Sequence, residues 1–288
     1  MKNSLSEKRD GQAVESMEKV PSTMKRSIFL TFLQENLSYY FKSKRFLIML
    51  ILTITLSLLV PVVSVVYPAG KLPDMYAFAS SEFGFIIQLT ILITVLLAGD
   101  SISQDYGLQG LFTLTQPIGK TRIFLSRTIA IFLATLAIVI AYISIAFVSS
   151  KMLYGGIPPH APEFIRMEIA FVISLLAFVE LFSSLFKNPL LAMVIPLVIL
   201  ELIMSILIPN FEAVQTEPWI LLFYAGQAIP DLLLKNYPKH AVVEANYLGV
   251  HNFTVFTPYV SEAFLIILAY AVICFTLSWA VYYHKEFK

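Results

Sequence analysis

Three consecutive residues, Gly119-Lys120-Thr121, have the composition that ends a phosphate-binding P-loop. A P-loop also needs a glycine five positions earlier, because backbone N–H groups must curl around the phosphates there. Leu114 occupies that position, and Pro117 has no backbone N–H to donate. The sequence therefore predicts no nucleotide site in this chain and no cofactor bound by it.

Polar side chains inside long apolar runs form a second group of candidates. Glu180 lies in AFVELF, Glu201 lies in ILELIM, and Gln88 lies in an earlier apolar run. Ionisable residues are costly inside a membrane and often mark substrate or ion pathways. Counted from a turn near Lys187, Glu180 should lie about 10 Å deep and Glu201 about 20 Å deep, so we expect no direct pair. We predict that all three line a translocation path or pack against polar groups of neighbouring membrane helices.

The other titratable residues are weaker candidates for a functional site. Glu82 lies near the predicted outer end of an apolar run, where we expect water to reach it. His160, His240 and His251 fit no standard metal-ligand spacing, and no cysteine accompanies them. The chain also lacks the Gly-x-Ser-x-Gly and His-Glu-x-x-His patterns of hydrolases and metalloproteases. We therefore predict neither a metal site nor a catalytic site.

The composition places these candidates in a membrane protein. Of the 288 residues, 58% are hydrophobic and 14% are charged, against about 25% charged in soluble domains. The net charge of +1 provides no field that would attract nucleic acid. A membrane helix needs about 20 mostly apolar residues. We predict an all-α integral membrane protein whose six transmembrane helices occupy the domain 46–288, at 46–67, 78–99, 123–149, 164–186, 189–208 and 262–283.

Lysine and arginine residues are distributed unevenly between the two sides of these spans. If the N-terminus is inside, fifteen basic residues lie on the inner side and five on the outer side. Because basic residues are enriched in cytosolic loops, we predict a plasma-membrane protein with both termini in the cytosol. Residues 1–26 are polar and contain no apolar core of a signal peptide, so we expect a disordered cytosolic tail.

Two segments outside the spans are predicted to lie at membrane surfaces. In 27–45, apolar residues recur every four positions, which predicts an amphipathic interfacial helix. The alternative is a cytosolic extension of the first span. The outer segment 209–261 contains an apolar stretch at 218–234 that glycine and proline interrupt, so we expect a re-entrant or interfacial hairpin there. Asn252 begins a glycosylation sequon in the same segment.

The cytosolic loop at 100–122 has a distinctive order of residue types. Two aspartates come first, then two glycines, an apolar run, a proline and basic residues. A short apolar helix between glycine and proline is suited to a groove on a partner protein, and the basic end would return the chain to the inner membrane surface. The residues that we expect at this partner contact are Asp105, Gly107, Leu111, Phe112, Leu114, Pro117, Ile118 and Arg122.

The loop resembles the signature of the permease subunits of ABC-2 type ABC transporters. That signature has an acidic residue, a glycine two positions on, a run ending in leucine, and Pro-Ile before a basic residue. Asp105 stands where the family usually has glutamate, and Gly110 and the pair Gly119-Lys120 also depart from the pattern. The six-span layout, the amphipathic segment before the first span and the long outer segment resemble the family too.

The resemblance implies an ATP-driven exporter. This chain would work with a second membrane subunit, either identical or homologous, and with two soluble ATP-binding subunits that hold ATP and Mg²⁺. The loop would be the coupling helix, which docks in a cleft of an ATPase subunit. Two alternatives stay open: an ion-coupled secondary transporter that uses Glu201, and a membrane scaffold or anchoring subunit of an assembly.

Overall fold

A computed structural model describes residues 22–66, 72–106, 119–237, 241–243 and 253–284 of the chain. The predicted helical class is confirmed. Within these residues, six helical segments are long and apolar enough to cross a membrane, which indicates a multi-pass membrane protein. In chain order, spans one to six are Lys44–Val66, Met75–Tyr106, Lys120–Tyr154, Ala161–Leu185, Pro189–Ala213 and Val260–His284. Each overlaps the corresponding predicted span, and the ends differ by between zero and seven residues.

The spans are built from helices of different lengths, and two of the spans are composite. The helices of the described residues are α1 (Ser22–Phe41), α2 (Lys44–Val66), α3 (Met75–Phe83), α4 (Ile86–Ala98), α5 (Lys120–Tyr154), α6 (Ala161–Leu185), α7 (Pro189–Leu197), α8 (Met204–Ala213), α9 (Leu222–Asp231) and α10 (Val260–His284). Span two consists of α3, α4 and a 3-10 turn at Ser103–Tyr106, and span five consists of α7, a π-helical segment at Val198–Ile203 and α8.

Local sequence explains where several helices begin and break. The Asp74 carboxylate accepts hydrogen bonds from the N–H groups of Tyr76 and Ala77 at 3.1 and 2.8 Å, which caps α3. In span five, Pro196 has no N–H for the helical ladder, and the π-helical segment begins two residues later. That segment contains Glu201. Pro61, by contrast, lies inside an uninterrupted α2.

Spans two, three and four form the centre of the bundle. Fully buried aliphatic residues lie on all three: Ile91, Ile93, Ala134, Ile138 and Leu175. α10 packs along α6, and α2 packs along α5. Spans one, five and six present many large apolar side chains at the surface of the chain. Exposed apolar side chains of this kind are usual where a membrane helix contacts lipid or another membrane subunit.

The N-terminal helix differs from its prediction in extent. α1 ends at Phe41 rather than at 45, and a turn at Lys42 and Ser43 separates it from α2. Its apolar stripe contacts protein, because Leu33 and Leu37 pack against the bundle core. The Asn36 amide also donates to the Ser126 hydroxyl of α5 at 3.3 Å. α1 is therefore held alongside α5.

The segment between spans five and six contains a short helix and a small ribbon. α9 has ten residues, too few to cross a membrane, and its side chains from Leu222 to Ile229 are almost all buried. It packs against α10 and α6. β1 (Ala241–Val243) and β2 (Phe253–Val255) pair antiparallel, with Val242 opposite Thr254. This ribbon was not predicted. Asn252, the first residue of the sequon, lies outside the described residues.

Candidate functional site

A buried ion pair lies at the base of the predicted cytosolic loop. The Arg127 guanidinium of α5 donates to both carboxylate oxygens of Asp105, at 2.9 and 3.1 Å. The Asp105 and Arg127 side chains are only 4% and 13% exposed. Arg127 also donates to the Ser101 carbonyl, and the Tyr282 hydroxyl of α10 donates to Asp105 at 3.3 Å. A bidentate hydrogen bond fixes the orientation of the two side chains as well as their distance. The end of span two is therefore held firmly against spans three and six.

Hydroxyl groups attach the same turn to span four. The Ser183 hydroxyl accepts from the N–H groups of Ile102 and Ser103 at 2.9 and 3.2 Å. These N–H groups lie where α4 has ended, so the helical ladder does not satisfy them. The Tyr106 hydroxyl donates to the Ser184 carbonyl at 3.1 Å. We call Asp105, Arg127, Tyr282 and Ser183 the loop-base cluster. It joins spans two, three, four and six at one point.

A second ion pair lies nearby and is more open to solvent. Arg45, at the start of α2, lies 2.6 Å from the Asp100 carboxylate, and its side chain is 49% exposed. Its guanidinium also donates to the Leu96 carbonyl at 3.4 Å. Tyr40 of α1 is buried beside this pair, and burial raises the pKa of its hydroxyl above the ordinary value. The Tyr40 hydroxyl is therefore neutral at physiological pH.

The predicted partner-contact residues are only partly within the described chain. Gly107, Leu111, Phe112, Leu114, Pro117 and Ile118 lie outside the described residues. Asp105 is buried in the loop-base cluster, so within this chain its contacts are internal rather than on an open surface. Arg122 lies in the first turn of α5 and is half-buried. The Lys120 ammonium lies 3.5 Å from the Tyr283 carbonyl, so it interacts with the end of α10.

Of the three predicted polar residues of the spans, the structure brings two together. Gln88 and Glu201 line one cavity of about 820 Å³ between spans one, two, three and five. Glu180 does not line it. Its carboxylate instead accepts from the Thr128 hydroxyl of α5 at 2.8 and 3.0 Å. Glu180 therefore has the alternative role that the sequence allowed, packing against a polar group of a neighbouring span.

Glu82 was expected at a water-exposed end of span two, and this expectation is wrong. Its side chain is 2% exposed, and it lines the same cavity as Gln88 and Glu201. The reason is tertiary: α3 lies against α5, where Phe83 contacts Tyr142 and Phe147, so the face of α3 that carries Glu82 is enclosed.

Sequence reasoning missed Glu168 in span four. Its carboxylate accepts from the Thr90 hydroxyl of α4 at 2.6 Å, and the residue is 1% exposed. Its sequence signal was weak, because Glu168 follows the charged residues Glu163 and Arg166 at the start of the predicted span, whereas Glu180 has only apolar residues beside it. A buried hydrogen bond of this kind ties two membrane helices together.

The described residues contain no group of three or more histidine, cysteine, aspartate or glutamate side chains placed to hold a metal ion. His160 lies 3.0 Å from Glu163, one turn along the chain. His240 and His251 lie outside the described ranges. The two structural features that stand out are therefore the loop-base cluster and the cavity with Glu82, Gln88 and Glu201.

Comparison with known proteins does not identify a family or a function for this chain. Neither a scan against models of protein families nor a search of curated proteins matches this chain. The loop-base cluster and the cavity with Glu82, Gln88 and Glu201 therefore provide the basis for a functional proposal.

Proposed function

We propose that this chain is the membrane permease subunit of an ATP-driven exporter of the ABC-2 type. The observation that carries the proposal is the buried pair between Asp105 and Arg127 at the base of the loop. A loop that receives force from a partner needs a rigid attachment to the spans. The loop-base cluster supplies such an attachment, because it joins span two to spans three, four and six.

In this proposal the energy of ATP arrives through contact between subunits. Two soluble ATPase subunits bind ATP and Mg²⁺ and close together, and the loop at 107–118 lies in a cleft of one of them. Closure displaces the loop, and the cluster transmits the displacement to the attached spans. ATP shifts the equilibrium toward the outward-open state because it binds the closed ATPase pair more tightly.

The surroundings of the chain follow from the same proposal. A second membrane subunit packs against the apolar surface of this one, and the translocation path runs between the two. The membrane is the plasma membrane, with both termini in the cytosol. Lys42 and Lys44, which are exposed where α1 meets α2, contact anionic headgroups, so α1 lies at the inner interface. The stretch 218–234 lies at the outer interface.

The proposal is tested by a charge placed in the loop. Phe112→Asp puts an unpaired carboxylate into an apolar contact, whereas Gln109→Asp adds the same charge at a polar position of the same loop. Each tagged variant is expressed in the native cells and purified from their membranes, and ATP hydrolysis in the purified complex is measured. We expect the wild type and Gln109→Asp to retain an ATPase subunit and its activity, and Phe112→Asp to lose both by tenfold or more, roughly the effect of a hot-spot residue.

Two results would reject the proposal. One is a wild-type complex that contains no ATP-hydrolysing subunit. The other is a Phe112→Asp variant with the same ATPase content and activity as the wild type. Equal amounts of folded protein in gel filtration establish that the variants differ in partner binding rather than in insertion, because the loop lies outside the spans.

A second candidate is an ion-coupled secondary transporter, and one observation favours it. Glu201 lies in a π-helical segment in the middle of span five, and such segments are frequent at functional sites. It shares a cavity with Glu82 and Gln88. Purified chain in liposomes, with no ATPase present, would move substrate in response to a pH or sodium gradient under this candidate and would be inactive under the first.

A further inference from the structure

The cavity between spans one, two, three and five has an unusual lining. Its volume is about 820 Å³, within the range of about 300–1,000 Å³ that holds small organic ligands. Most of its wall is aliphatic, from Leu52, Leu56, Leu59, Leu89, Leu92 and Leu197. The side chains of Glu82, Gln88 and Glu201 add polar groups to this wall from two different spans.

These polar groups include buried oxygen atoms that nothing in the described chain satisfies. Both carboxyl oxygens of Glu82 are buried and have no hydrogen-bond partner, and the same is true of the amide oxygen of Gln88. The nearby Tyr142 hydroxyl donates its proton to the backbone carbonyl of Glu82, so it does not serve the carboxyl group. A buried polar atom without a partner is unfavourable, and most such atoms in proteins are paired.

We infer that this cavity binds a cationic amphiphile, an organic ammonium with an apolar body. An ammonium brings N–H donors and a positive charge to the carboxyl groups of Glu82 and Glu201 and to the Gln88 oxygen. Its hydrocarbon or aromatic part fills the leucine-lined remainder. A bare metal ion fits less well, because the described residues contain no three-ligand group and most of the wall is apolar.

The inference names the class of cargo for the proposed exporter and in that respect rests on the proposed function. The binding of a ligand depends only on the cavity, whose lining residues belong to this chain. Binding and ATP coupling can therefore be tested separately.

The test uses three probes that share one fluorophore. Dansylcadaverine carries an ammonium group, its N-acetyl derivative is neutral, and dansyl-aminohexanoate is anionic. Each is titrated into the purified full-length chain in a non-ionic detergent, and fluorescence anisotropy is corrected for the signal of detergent alone. We expect dansylcadaverine to bind at least about tenfold more tightly than the other two, since a hydrogen bond to a charged group contributes about that much.

Variants locate the binding. Glu82→Gln and Glu201→Gln keep side-chain size and remove the acidic group that can pair with an ammonium, and each should weaken dansylcadaverine binding by about tenfold or more. Leu56→Trp keeps both carboxyl groups and fills the cavity, so it should abolish binding of this probe. The matched control is Glu168→Gln, which removes an equally buried carboxyl group that does not line the cavity and whose Oε1 accepts from Thr90. It should bind as the wild type does.

The inference is overturned if the three probes bind equally, if the anionic probe binds best, or if Glu82→Gln and Leu56→Trp both bind dansylcadaverine like the wild type. Loss of binding in Glu168→Gln to the same extent as in Glu82→Gln would also reject it. If dansylcadaverine binds as expected but the purified wild-type complex contains no ATP-hydrolysing subunit, the binding site stands and the exporter proposal fails. If ATP hydrolysis is coupled to the chain but the probe does not bind, the exporter proposal stands and this inference fails.

Discussion

At the scale of single residues, the pair between Asp105 and Arg127 has the largest predicted energetic effect. Arg127→Met removes the guanidinium and leaves the buried Asp105 carboxylate with the Tyr282 hydroxyl alone. Breaking a buried pair in this way costs about 3–5 kcal/mol. We therefore expect Arg127→Met to lower the free energy of unfolding by that amount, measured by denaturant unfolding of the purified protein in detergent.

The matched control is Arg45→Met, which breaks the more exposed pair with Asp100. Because the Arg45 side chain is 49% exposed, water screens this pair, and its loss should cost about 1 kcal/mol or less. Combining Arg127→Met with Asp105→Leu removes both buried charges and should recover part of the lost stability. Equal losses in Arg127→Met and Arg45→Met would contradict the special role that we give to the buried pair.

At the scale of elements, the end of α4 is held close to α7 by a residue without a side chain. A Cβ atom at Gly99 would lie 2.6 Å from Cγ and 3.0 Å from Cα of Met193. Gly99→Ser must therefore push the two helices apart, and we expect a loss of about 1–3 kcal/mol in stability, the usual cost of overpacking. The measurement is again denaturant unfolding in detergent.

Gly119→Ser makes the same chemical change in a different place. No atom lies within 4 Å of a Cβ built at Gly119, which is the N-cap of α5, where serine is favoured. We expect this variant to be as stable as the wild type or slightly more so. If Gly99→Ser were also neutral, the close contact between α4 and α7 would not constrain the bundle.

At the scale of the whole molecule, the predicted orientation in the membrane can be tested with two exposed positions. Thr216 follows span five on the predicted outer side, and Lys187 lies between spans four and five on the predicted inner side. In a background where the buried Cys274 is replaced by alanine, a maleimide that does not cross membranes should label Thr216→Cys in intact cells and leave Lys187→Cys unlabelled.

Both positions are exposed on the protein, so a difference in labelling reports the side of the membrane rather than burial. Permeabilised cells, in which both variants should be labelled, provide the control. Labelling of Lys187→Cys alone in intact cells would invert the topology. The loop at 107–118 would then lie outside the cell, where no ATPase subunit could reach it.

The sequence by itself determined the number and approximate limits of the spans. Each span is a long apolar run, and the thickness of a bilayer fixes how long such a run must be, so local composition is enough. It also identified Gln88 and Glu201 as unusual, since a polar residue in an apolar run is visible without any partner.

The tertiary structure alone decided which of these residues meet. Asp105 and Arg127 are 22 positions apart, and Tyr282 is 177 positions from Asp105, so their contact depends on how the spans pack. The same holds for the cavity, where Glu82 was expected in water and instead is buried beside a cavity that Glu201 of span five also lines. Helix periodicity shows which side of a helix is apolar, but the approach of two helices is set by side-chain packing between segments far apart in the chain.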